Sequence, residues 1–135
     1  MTVLTTSADD LAKLQGATQM VVACLCAAWC GTCTVYRQDF AQIAERYPGL
    51  SFIWIDIEDD AALVDAIDVD NFPTVLLAQT GEPLFFGTLL PQASVLTRLI
   101  DNYLQQSKTV PNASGTWPDG VVELTRKLYT ENIVD

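Results

Sequence analysis

Met20-Val21-Val22-Ala23-Cys24-Leu25-Cys26-Ala27-Ala28-Trp29-Cys30-Gly31-Thr32-Cys33 is the stretch whose reading decides how this chain folds. Met20 to Ala28 is almost wholly apolar, too continuous for a half-exposed strand, and predicts a central strand covered on both faces. From Cys30 the period becomes helical. Val35, Phe40, Ile43, Ala44 and Tyr47 fit one face, Arg37, Gln38, Glu45 and Arg46 fall mostly outside it, and Pro48-Gly49 stops the helix. Two cysteines separated by two residues, where a strand feeds a helix, read as a thiol–disulfide pair. The free N–H groups and positive dipole end of a helix stabilise a thiolate at its first position, and the thiolate is the reactive species. Cys30 is therefore the expected exposed nucleophile. Cys33, one turn further in, is placed to close a disulfide with it and is more shielded. Half of a zinc site has the same spacing, so the rest of the chain must decide between them.

The 135 residues suit one domain with a short appendage, and half are apolar, ample for a core. No apolar run approaches the roughly 18 residues needed to span a bilayer. Met1 to Asp10 lacks basic residues and does not look like a secretory signal, which predicts a cytoplasmic protein. Seven basic against 17 acidic side chains give a formal charge of −10. That charge repels nucleic acid and anionic membrane surfaces and favours partners with a basic docking face. Four cysteines in a cytosolic chain point to redox or metal chemistry rather than a structural framework. There is no histidine, which removes His-assisted cysteine proteases, His-ligated zinc and His-based acid–base catalysis together.

Taken in order, Thr2 to Leu4 suits a short strand, and Ser7 caps a short helix that ends at Gly16. Leu50 to Ile57 returns to a strand, and Asp59 and Asp60 begin a helix over Ala61 to Ile67. Asn71-Phe72-Pro73-Thr74 leads into a strand from Val75 to Ala78; Thr80-Gly81-Glu82 turns it back through Leu84 to Phe86. Gly87, late in that strand, permits a close backbone approach. Pro91 fits the first turn of a helix reaching about Gln105, with Val95, Leu96, Leu99, Ile100 and Tyr103 as its buried stripe. Ser107 to Gly115 reads as a linker, and Pro118-Asp119-Gly120 opens a short helix with Val121, Leu124 and Leu128 on one side. That tail either folds back over an apolar patch or docks a partner. The expected division is residues 1–106 as the domain and 107–135 as linker and helical tail. The acidic patches Asp56 to Asp60 and Asp65 to Asp70 lack the ligand spacing of a calcium loop.

This order of elements, with Trp29-Cys30-Gly31-Thr32-Cys33, Phe72-Pro73-Thr74 and Gly87 in place, resembles the thioredoxin family over about residues 1–106. The resemblance implies an α/β fold: a central mixed β-sheet, parallel strands plus an antiparallel hairpin, flanked by helices, here with a C-terminal helical extension. It implies a cis Phe72–Pro73 bond facing the cysteines. Only an X–Pro bond tolerates cis at modest cost, and the isomer would present the Phe72 backbone to an extended substrate segment. Trp29, Gly31, Thr32, Phe72, Pro73, Thr74 and Gly87 are the implied substrate-binding residues. The implied activity is protein-disulfide oxidoreduction: Cys30 thiolate attacks a substrate disulfide, and Cys33 resolves the mixed disulfide. A flavin-dependent thioredoxin reductase would return the electrons. No cofactor and no metal are implied, and the protein is expected to act as a monomer.

The chain also departs from the family. Cys24 and Trp54 stand where most members keep a buried aspartate and a lysine. A buried neutral thiol is a poor proton acceptor, so resolution by Cys33 is expected to be slower. Thr32 replaces proline between the cysteines, Gln38 replaces a kinking proline, and Cys26 occupies a position often aromatic. Asp70 and Asn71 flank the proline loop. Cys24 and Cys26 share one strand face and read as small buried hydrophobes. A four-thiolate zinc or iron–sulfur site with Cys30 and Cys33 is disfavoured, because a rigid strand does not easily turn buried thiols towards a helix terminus. The alternative function is a binding module on the same scaffold, with vestigial redox activity.

Overall fold

In a computed structural model, the structure describes residues 3–4, 20–27, 30–58, 67, 72–79, 82–105, 117 and 120–129. In chain order the elements are β1 (Val3–Leu4), β2 (Val21–Cys26), α1 (Gly31–Arg46), β3 (Ser51–Asp56), β4 (Thr74–Gln79), β5 (Glu82–Thr88), α2 (Ala93–Gln105) and α3 (Val121–Tyr129). The strands form one five-stranded mixed sheet in the order β1-β3-β2-β4-β5. β1, β3 and β2 run parallel, β4 is antiparallel to β2, and β5 returns antiparallel to β4. The expected helix at Ser7 to Gly16, the one over Ala61 to Ile67 (save Ile67) and the turn residues Thr80 and Gly81 lie outside the described residues.

β2 is central because every one of its residues is buried, as its uninterrupted apolar run requires. Side chains alternate across it and sort the core into two layers. Val22, Cys24 and Cys26 join Phe52, Trp54, Val75 and Leu77 on one face, beneath Tyr36, Phe40 and Ile43 of α1 and Leu96 and Ile100 of α2. Val21, Ala23 and Leu25 join Ile53, Ile55, Leu76 and Ala78 on the other, beneath Val121, Leu124 and Leu128 of α3. The tail helix therefore folds back on its own sheet. It starts at Gly120, whose φ of 88° is a left-handed conformation that glycine takes without steric cost.

The buried stripe of α1 differs from the expected one by a residue. Val35 is 67 % exposed, whereas Cys33 and Tyr36 are buried with Phe40, Ile43 and Ala44. Positions 33, 36, 40, 43 and 44 follow the three- and four-residue spacing of a helix face, and Val35 lies off that line. Phe40 meets Phe52 and Trp54 edge-on, at centroid distances of 5.4 and 5.6 Å, and so pins α1 to β3. The Tyr47 hydroxyl donates to Asp101 Oδ1 at 2.7 Å, tying the end of α1 to α2. On α2 the expected stripe is graded: Leu96 and Ile100 are fully buried, Val95, Leu99 and Tyr103 half-buried. Among the described residues no helix is long and apolar enough to cross a membrane.

Candidate active site

The site forms where β2 ends and α1 begins. Cys30 is the N-cap residue of α1, with extended backbone (φ −86°, ψ 120°) and a side chain that makes no capping hydrogen bond. Its N–H donates to Ala27 O at 3.0 Å, and its carbonyl accepts from Thr34 N at 3.1 Å and Thr34 Oγ1 at 3.3 Å. The turn is thus held by backbone bonds while the Cys30 sulfur stays uncommitted. Cys30 is a half-exposed free thiol, and no acidic residue occupies the first turn of α1. Gly31 and Thr32 are exposed. Trp29 lies outside the described residues.

Cys33 is 2 % exposed, and its sulfur is joined in a disulfide to Cys26, with the two Cα atoms 5.8 Å apart. The expectation that Cys26 is only a small buried hydrophobe, too rigidly held to reach a helix terminus, is therefore corrected. α1 does not sit beyond the end of β2; it lies across the face to which Cys26 points, and Cys33 projects from its underside. A Cα separation of 5.8 Å falls in the ordinary disulfide range. Cys24, two residues earlier on the same face, is a fully buried free thiol opposite Trp54 and Val75. Burial pushes its titration far above the ordinary thiol range, so it stays protonated, as the replacement of the family's aspartate suggested.

Sequence reasoning also missed Tyr36. It is 1 % exposed in the layer that holds Cys24, Cys26 and Cys33, and its hydroxyl has no hydrogen-bond partner among the described residues. Burial first, then the nearby Cys24 and Asp39, push its titration upward. Its position three residues beyond Cys33 is the signal that would have found it. A pocket of about 180 Å³ opens beside Cys33, lined also by Ala27, Thr34, Arg37, Trp54 and Asp56. The Arg37 guanidinium lies over the Trp54 ring at 5.3 Å, a cation–π contact that keeps a positive charge at the rim.

The proline loop closes the other side. The Phe72–Pro73 bond is cis, the isomer the sequence reading expects. Phe72 is half-buried against the cysteine-bearing layer, and Pro73 O accepts from Leu89 N at 3.0 Å. Thr74 is 3 % exposed with its hydroxyl 3.2 Å from that of Thr88, so it braces the loop from within. Gly87 pairs with Val75. A Cβ at Gly87 would stand 3.2 Å from Cζ of Phe85; the group that crowds it is an aromatic side chain, not the backbone expected there.

The fold and its site combine a mixed sheet, a helix-capping cysteine, a second cysteine one turn in and a cis-proline loop. The family model described as Thioredoxin matches residues 2–95, and the chain belongs to the thioredoxin family. It is 28 % identical over 72 residues to an H-type thioredoxin of Oryza sativa subsp. indica, covering 53 % of this chain and 59 % of the rice protein. It is 35 % identical over 85 residues to thioredoxin C-3 of Corynebacterium nephridii, covering 62 % of this chain and 58 % of that one. The chain thus spans little more than half the length of these curated relatives. Among solved structures, a mutant thioredoxin of Halobacterium salinarum superposes with a TM-score of 0.64 at 26 % identity, over 76 % of this chain and 90 % of that one. Thioredoxin f2, in its complex with ferredoxin:thioredoxin reductase, shares the fold with a TM-score of 0.66 at 19 % identity, over 76 % and 96 %.

Proposed function

We propose that this protein is a thiol–disulfide oxidoreductase acting on protein disulfides, with Cys30 as its nucleophile. The observation that carries this is a free, half-exposed thiol on the N-cap of α1, beside a buried cysteine one turn inward. The helix N-terminus offers unpaired N–H groups and the positive end of a dipole to a sulfur that must bear negative charge. Cys30 attacks a substrate disulfide, a mixed disulfide forms, and the second substrate sulfur leaves as a thiolate. Cys33 then attacks Cys30 Sγ and releases the reduced substrate. The cis-proline loop supplies backbone groups beside the sulfurs for an extended segment to pair with. Val35 and Leu90 are 67 % and 65 % exposed. They place apolar surface within a few residues of both halves of the site, suited to a protein substrate rather than a small hydrophilic one.

Within this reading electrons come from a thioredoxin reductase-type donor, as they do for an exchange enzyme that must be re-reduced each cycle. It works in a reducing compartment, the cytoplasm, as a monomer in electron transport and redox homeostasis. Residues 1–106 carry the chemistry and 107–135 serve by covering the sheet. Reduction of a generic protein disulfide with dithiothreitol as electron source tests it. Turnover should disappear in Cys30→Ser, while Cys33→Ser should trap a mixed disulfide with the substrate. A Cys30→Ser protein that still turns over would overturn the assignment and leave the scaffold as a binding module.

A further inference from the structure

We infer that Cys26 is a second resolving cysteine: it takes Cys33 over from Cys30, so that the oxidised protein stores its disulfide in the core and regains a free Cys30 thiol. This rests on the reading of Cys30 as the nucleophile. All four cysteines share one layer: Cys24, Cys26 and Cys33 are buried in it, and Cys30 packs against it. Cys33 is the shared member. It follows Cys30 by three residues on the same helix, on one side of α1. It faces Cys26 across the sheet–helix interface at a Cα separation of 5.8 Å, and it is Cys26 that holds it while Cys30 remains free.

The exchange balances. The Cys30–Cys33 disulfide formed by turnover meets the Cys26 thiol; Cys26 Sγ bonds to Cys33 Sγ, and the Cys30–Cys33 bond breaks. The proton of Cys26 is released and one is taken up at Cys30 Sγ, with no net oxidation or reduction. The product is shielded: Cys26 is 1 % and Cys33 2 % exposed, against a half-exposed Cys30. An external reductant then has a ready route in by way of Cys30, which attacks Cys33 Sγ and restores the accessible disulfide. Cys24 stays outside the relay, one strand repeat further from the helix N-terminus on the same face.

The whole chain, oxidised with diamide, capped with iodoacetamide in denaturant and mapped by peptide mass spectrometry, reads the outcome. The Cys26–Cys33 bridge is expected in the majority, with caps on Cys30 and Cys24. A majority of Cys30–Cys33 with Cys26 capped overturns the inference. Cys30→Ser separates a relay from an inert bond. It should form the Cys26–Cys33 bridge more slowly with diamide, and dithiothreitol should reduce the bridge, once formed, at least about tenfold more slowly than in the wild type. Rates of bridge formation and reduction equal to those of the wild type overturn the relay. Neither result depends on substrate turnover, so the nucleophile assignment stands or falls separately, on whether Cys30→Ser still reduces a protein disulfide.

Discussion

The two faces of the sheet are built from the same strands and do different work. One face carries Cys24, Cys26 and Cys33, with Cys30 at its rim, under α1 and α2. The opposite face holds no cysteine among its described residues and is closed by Val121, Leu124 and Leu128 of α3. Each also buries a hydroxyl. That of Tyr36, on the cysteine side, is without a partner among the described residues, whereas Thr125 Oγ1 donates to Val121 O at 2.8 Å. Adjacent residues of β2 contribute to opposite faces, so a single strand separates chemistry from support. The far face can therefore be altered without touching a described cysteine, whereas a change on the near face acts on both the sulfurs and the core.

The largest expected effect tests the supporting face. Truncation after Gln106 removes α3 and exposes three buried side chains' worth of apolar contact, at roughly 1.5–3 kcal/mol each. A loss of about 5 kcal/mol or more is expected in urea unfolding, enough to consume much of a typical domain's stability. A truncated chain that unfolds at an unchanged midpoint would mean that α3 serves a partner instead. On the reactive face, Cys30→Ser should lower protein-disulfide reduction at least about a hundredfold while moving the melting temperature little, since the residue is half-exposed. If that variant instead melts much earlier, the division between the faces is not as drawn.

Cys24→Asp places a proton acceptor at the position the family reserves for one. Turnover at neutral pH should rise several-fold, and the buried carboxyl should cost a few kcal/mol of stability. An unchanged rate removes proton transfer from the list of reasons for slow resolution. The paired hydroxyls sharpen the contrast further. Tyr36→Phe should leave stability unchanged or raise it by up to about 1 kcal/mol, whereas Thr125→Val should lower it by about as much. The same sign for both in chemical denaturation would refute the distinction between an unpaired and a paired buried hydroxyl.

The smallest effect is a pH dependence. Burial, then the Asp101 hydrogen bond and charge, push Tyr47 from its ordinary 10.0 up to about 12. The folded state thus holds this proton more tightly than the unfolded chain does. Its contribution is complete below about pH 10 and is lost as pH rises through about 12. Tyr36, shifted in the same direction, adds to the decline at high pH. Tyr47→Phe should make the fall in stability over that interval shallower; an identical slope would remove Tyr47 from the account.

Much of this was legible along the chain. The unbroken apolar run of β2, the change of period at Cys30, and Phe72-Pro73 before a strand are local signals, and local backbone preferences enforce them. What escaped was relational. Val35 and Tyr36 are neighbours in sequence, and an apolar residue one step off the stripe is indistinguishable from one on it until α1 has a fixed rotation against β3. A buried cysteine on a rigid strand reads as a small hydrophobe, and only the packing of α1 across that strand's face shows that Cys33 comes to Cys26.

Periodicity along the chain is enough for the buried central strand, the helix that opens at Cys30 and the alternation of strands with helices, while the mixed sheet and the cis-proline loop are expected from the resemblance those residues carry to the thioredoxin family. Only the tertiary structure decided that α3 seals the far face and that Cys33 has two sulfurs to choose between. Those depend on which surfaces meet when α1 and α3 settle on opposite sides of β2, and no spacing along a chain encodes the distance between two sulfurs across a packed interface.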